Sequence, residues 1–101
     1  WPDFKKVDDN IYVVELFDAA RYQQLLNNGR SKNQAQFWMN LLEITGLFDE
    51  LSNESALAFA MKMAESWTAK IRTDFGPHEM GARVINDDET GEIFVVIGSD
   101  E

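Results

Sequence analysis

The sequence predicts a single α+β domain over all 101 residues, in the order β-α-α-α-β-β. Its sheet is antiparallel, of three strands, or four if Phe4 to Val7 adds an edge, with the helices packed on one face. Three observations lead there. Asn10 to Phe17 (NIYVVELF) and Ile93 to Ile97 (IFVVI) are short runs of β-branched and aromatic residues. Between them, apolar residues recur every three or four positions and are punctuated by helix caps. A turn-rich loop, Asn86 to Gly91 (NDDETG), joins a candidate strand at Met80 to Ile85 to the last one, as a hairpin requires.

The elements follow in order. After the first strand, Asp18 supplies an N-cap for a helix through Tyr22, Leu25 and Leu26, which Asn28-Gly29 stops. Ser31 and Gln34 fit a capping box, in which each side chain satisfies the other's free backbone N–H. That second helix is expected to run through Phe37, Trp38, Leu41, Leu42 and Ile44 to Gly46, followed by a connector whose Leu47, Phe48 and Leu51 tuck into the core. Ser52 or Asn53 caps the third helix, with Glu54 at the positive end of its dipole. Leu57, Ala60, Ala64, Trp67 and Ile71 give the clearest helical period in the chain, and Gly76-Pro77 ends it.

The first and last strands lack the alternation of a sheet with one wet face. Ile11, Val13 and Phe17 oppose Tyr12, Val14 and Leu16, and Ile93, Val95 and Ile97 oppose Phe94 and Val96. Both faces want cover, from the N-terminal segment, from a helix, or from a second copy. Burial of Tyr12, Val14, Leu16, Phe94 and Val96 in a symmetric pair predicts a homodimer.

Composition narrows the function. The chain is 45% apolar and 27% charged, which is ordinary for a globular domain. It has no cysteine, which removes disulfides, thiolate metal sites, iron–sulfur clusters and thiol catalysis. Its single histidine leaves little scope for an imidazole metal cage. No apolar run approaches the ~18 residues of a membrane span. Eighteen acidic residues against nine basic give a net charge of −9. Residues 1–46 hold six acids and five bases, and residues 47–101 hold twelve and four. A field of that sign repels nucleic acid and anionic membranes and speeds encounter with a basic protein. The chain begins at Trp1, which reads as a trimmed or processed chain or a fragment, so a removed targeting segment stays open and cytoplasmic location is the default expectation.

Three clusters carry candidate chemistry. His78 beside Glu79 offers a general acid–base pair, but neighbouring residues in an extended chain point to opposite faces, and no serine sits in a nucleophile-elbow pattern. Asp87, Asp88, Glu89 and Glu92 suggest a calcium loop until the missing later bidentate carboxylate is noticed; turn chemistry, or contact with a basic partner, explains them better. Arg30, Ser31 and Lys32, with Arg21 upstream, form a basic island at a helix start where an anion could dock, though without a glycine-rich cradle. No metal or cofactor is expected. The reading favoured by the sequence is a non-enzymatic, acidic protein-interaction module, such as an inhibitor, an immunity-type antidote or a regulatory subunit that binds a basic protein. The alternative is a small enzyme or anion-binding domain built on His78 and Glu79 or on the Arg30/Lys32 helix start.

Overall fold

The computed structural model describes residues 2–45 and 52–98. The expectations attached to Trp1 and to the connector with Gly46, Leu47, Phe48 and Leu51 lie outside the described residues. The fold is α+β, and the described residues hold three α-helices and antiparallel sheets, as the sequence predicts. The strands are divided between two sheets, β1-β2 and β3-β5-β4, so the first strand does not pair with the last two. The described residues cluster into two compact units, 2–40 with 97–98, and 41–45 with 52–96.

The first unit opens on a hairpin of β1 (Phe4–Val7) and β2 (Asn10–Val13), with Lys5 opposite Tyr12 and Val7 opposite Asn10. The expected edge strand at Phe4 to Val7 is therefore real. Two residues, Asp8 and Asp9, make the turn, at φ +50° and +69°. Positive φ at both centres matches the twist of a two-residue hairpin but is costly for any residue except glycine, asparagine or aspartate. Asp8 gains in return, since its Oδ2 accepts a 2.5 Å hydrogen bond from the Tyr22 hydroxyl. The Asp9 side chain has no such compensation among the described residues. Asp9→Gly is expected to raise stability by about 0.5–1 kcal/mol, read as a higher urea midpoint at unchanged slope.

β2 ends at Val13, four residues short of the expected strand, and Val14–Leu16 turns as a 3-10 helix. This turn folds Phe17 back against the Tyr12 ring at 5.0 Å, where Lys5 Nζ also lies 4.0 Å from the Phe17 ring centre. Asp18 caps α1 (Ala19–Asn27) by accepting from the N–H groups of Ala20 and Arg21. Gly29, at φ +86°, closes it: Arg30 N–H donates to the Leu25 carbonyl and Gly29 N–H to that of Leu26, a Schellman ending. The capping box holds the start of α2 (Lys32–Met39), with Ser31 N–H donating to Gln34 Oε1 at 3.0 Å and Gln34 N–H to Ser31 Oγ at 3.1 Å. Tyr12, Tyr22, Ala35 and Met39 form the core of this unit, and Val7, Phe17, Leu25 and Leu26 pack around it.

α2 stops at Met39 rather than continuing to Gly46. Asn40 is the reason. Its side chain is fully buried and turned onto the outer edge of β2, accepting from Val13 N–H and donating to the carbonyls of Ile11 and Ile97. Gln36, one turn earlier, also donates to the Ile11 carbonyl. Two amide side chains thus stand where a third strand would pair.

The second unit joins β3 (Leu42–Glu43), α3 (Asn53–Phe75), β4 (Ala82–Asn86) and β5 (Ile93–Ile97), whose last residue groups with the first unit. Leu42 lies opposite Val95 and Glu43 opposite Phe94. Leu-Leu-Glu-Ile satisfies a helical period and a strand equally, and pairing with β5 decides it. Ser52 caps α3 through Ser55 N–H, and Ala56, Ala60, Ala64, Trp67 and Ile71 are its buried residues. Small side chains at three of those five positions let the helix approach its neighbours closely. Helix and strand meet at Gly81, where a Cβ would fall 2.5 Å from the Thr68 side chain.

Candidate functional site

The β4–β5 loop is built on Asp87. Asp87 N–H donates to the Glu92 carbonyl at 2.9 Å, Gly91 N–H donates to the Asp87 carbonyl at 2.8 Å, and Asp87 Oδ1 accepts from Glu89 N–H at 3.0 Å. Thr90 Oγ1 adds a bond from Glu92 N–H, and Gly91 takes φ +75°, where most side chains are strained. The four candidate acids therefore divide. The Asp87 carboxylate holds the turn from inside, as aspartate commonly does. Asp88 and Glu89 are exposed, and their carboxylates accept no hydrogen bond from another described residue. Glu92 is half-buried at the start of the returning strand. Among the described residues no group of three or more histidine, aspartate or glutamate side chains is arranged to hold a metal ion.

The loop belongs to a unit with a strong charge excess. Its described residues carry nine acids and four bases. A fixed turn that points two carboxylates into solvent makes a compact negative surface with little conformational entropy to lose on binding.

His78 and Glu79 lie beyond the C-terminus of α3. His78 is exposed, and no described residue hydrogen-bonds it. Glu79 is half-buried; its backbone N–H donates to the Gly76 carbonyl and its carbonyl accepts from Arg72 Nε. A general base needs a partner that orients the ring and sets its tautomer, and the described residues supply none to His78.

The basic island is structurally engaged. Arg30, Ser31 and Lys32 are all exposed, yet the Arg30 guanidinium leans over the Trp38 ring, 5.8 Å from its centre. The Ser31 hydroxyl accepts from Gln34 N–H and the Ser31 N–H donates to Gln34 Oε1, so the first-turn N–H of Gln34 is already donated. The Lys32 carbonyl accepts from the Asn10 side chain, which fastens the helix start to β2. Arg21 is exposed on α1, with its N–H on the Asp18 cap. The geometry explains this segment as a helix start.

Of the five side chains that motivated a homodimer, Tyr12 and Val96 are fully buried within one chain, and Leu16 and Phe94 are half-buried. Val14 alone is exposed, at 39%. The reason given for a pair is therefore met inside the single chain for Tyr12 and Val96, and in part for Leu16 and Phe94.

A polar pair that the sequence does not flag lies in the first unit. The Tyr12 hydroxyl is buried with no hydrogen-bond partner among the described residues, while its neighbour Tyr22 donates to Asp8. The two rings meet edge to face at 5.8 Å. Burial, then the bond to Asp8, pushes the Tyr22 hydroxyl up to about 12; burial and the adjacent Tyr22 push Tyr12 up further.

No family model matches the chain, and no curated protein or solved structure matches it. No helix among the described residues is long and apolar enough to cross a membrane.

Proposed function

We propose that this protein is a non-enzymatic interaction module whose acidic unit docks onto a basic protein, in the manner of an inhibitor, an immunity-type antidote or a regulatory subunit. One observation carries the reading: Asp87 rigidly anchors the β4–β5 turn so that Asp88 and Glu89 project into solvent, uncommitted to any described residue. The net charge of −9 supplies a long-range field that speeds encounter with a cationic surface, while the hairpin supplies the local contact. The partner is a different chain. A second copy brings the same charge, and the apolar side chains that called for one are largely covered.

The test is affinity capture from the source cells at low salt, followed by binding of the captured protein to the wild-type chain and to the Asp88→Asn/Glu89→Gln double variant. Affinity is expected to fall about tenfold or more between about 50 and about 300 mM salt, as screening shortens from roughly 14 to 6 Å. The double variant is expected to lose about tenfold at low salt, mainly in association rate. An affinity indifferent to ionic strength, or equal in the variant, contradicts the reading.

A further inference from the structure

Among the described residues, the sheet β3-β5-β4 has an edge that is left partly open. Antiparallel strands turn the N–H and C=O of successive residues alternately to their two sides. Asp87 N–H donates to the Glu92 carbonyl, so Asp87, Ile85 and Arg83 face β5, and Ala82, Val84 and Asn86 face away. At Ala82 the outward groups are taken, because its N–H donates to Thr68 Oγ1 at 2.9 Å and its carbonyl accepts from the same hydroxyl at 3.3 Å. No described residue takes the outward N–H and C=O of Val84 or Asn86. β2 is treated differently: of its outward groups, the Ile11 carbonyl accepts from Gln36 and Asn40, the Val13 N–H donates to Asn40, and the Val13 carbonyl accepts from Phe17 N–H. An uncapped strand edge is a template for another chain.

The occupant follows from charge. Residues 79–92 carry Glu79, Asp87, Asp88, Glu89 and Glu92 against Arg83 alone, so the open stretch runs directly into the acidic turn. We propose that β4 accepts an extended, lysine- or arginine-bearing segment of a partner protein as an added strand, paired through the backbone of Val84 and Asn86. This rests on the acidic-module reading and deepens it: the carboxylates attract the segment, and the edge fixes its register. Pairing of two β4 edges from two copies would join chains of charge −9 each, and this long-range repulsion selects a foreign, cationic strand over a second copy.

The test uses the whole chain and two capped hexapeptides, alternating Lys-Val and alternating Glu-Val. Amide exchange by NMR is expected to show Val84 and Asn86 protected about tenfold or more by the Lys-Val peptide and unchanged by the Glu-Val peptide. Val84→Pro deletes one outward N–H and spares the ladder to β5, which edge strands tolerate, and is expected to weaken the Lys-Val peptide about tenfold. Lys-Val binding that perturbs Asp88 and Glu89 but leaves the Val84 amide unprotected overturns the added strand while the acidic-module reading stands. No binding of either peptide, together with no effect of the Asp88→Asn/Glu89→Gln double variant on the captured partner, overturns both. Protection of Val84 that rises with protein concentration in the absence of peptide assigns the edge to a second copy and overturns the proposal. Should Val84→Pro fail to fold, the exchange of the wild-type amides decides alone.

Discussion

Asn40→Leu is expected to cost about 2–5 kcal/mol, a large part of the roughly 5–15 kcal/mol that holds a domain of this size together. Leucine matches asparagine closely in shape, so the loss is one of hydrogen bonding rather than volume. Asn40 is 0% exposed and makes three bonds: it accepts from Val13 N–H at 2.9 Å and donates to Ile11 at 2.9 Å and to Ile97 at 3.2 Å. Without it, the Val13 N–H and the Ile97 carbonyl lose the partner that Asn40 gives them, and a buried unpaired backbone group costs about 1–3 kcal/mol. The Ile11 carbonyl retains Gln36. Gln36→Leu should therefore be milder, about 1 kcal/mol, because Asn40 still serves Ile11. The two changes together should exceed the sum of the singles, since each amide covers for the other at one carbonyl. Urea unfolding followed by tryptophan fluorescence reads all three variants. An Asn40→Leu protein within 0.5 kcal/mol of wild type, the range of an ordinary surface change, would sink the account.

This amide pair marks where sequence reasoning stops. Asp18, Ser31 with Gln34, Ser52, and Asn28-Gly29 all act within a few residues of themselves, and each performs the local role its chemistry dictates. The face of α3 was legible for the same reason: Ala60, Ala64, Trp67 and Ile71 follow one period and are buried. Asn40 acts over 29 residues to Ile11 and 57 to Ile97, and nothing local distinguishes it from an ordinary polar residue inside a helical pattern. Hence α2 is read too long and Leu42–Glu43 is missed as a strand. The first strand is over-extended because Val14 and Leu16 suit a strand equally well, and only the Phe17–Tyr12 contact requires the turn between them. At the candidate site, the turn role of Asp87 follows from aspartate's habit of bonding its own backbone. The open edge at Val84 could not be seen, because it depends on strand order and on Thr68 lying beside Ala82 rather than beside Val84.

The hairpin, α1 and α2 meet at the only two tyrosines in the chain, which makes their ionisation a direct report on the first unit. Both hydroxyls ionise above the ordinary value of about 10, Tyr22 at about 12 and Tyr12 higher still. The sign follows from proton counting. Below pH 10 the folded and unfolded states are both protonated, so this contribution is fully present and stability is level. Above pH 10 the unfolded chain sheds protons that the folded chain keeps, so stability falls as pH rises towards the folded values. Each tyrosine held protonated steepens the fall by about 1.4 kcal/mol per pH unit. In denaturant, tyrosinate absorbance should rise near pH 10. In the native protein it should stay low past that point and then rise in one step with loss of the fold. Two substitutions separate the partners. Tyr22→Phe removes the bond to Asp8 and should cost about 1.5–3 kcal/mol, the range for a hydrogen bond to a charged acceptor. Tyr12→Phe removes a hydroxyl that is buried without a partner among the described residues, and should leave stability unchanged or raise it by about 1 kcal/mol. Opposite signs at two rings 5.8 Å apart are the signature of this arrangement, and native tyrosines that titrate near pH 10 would refute it.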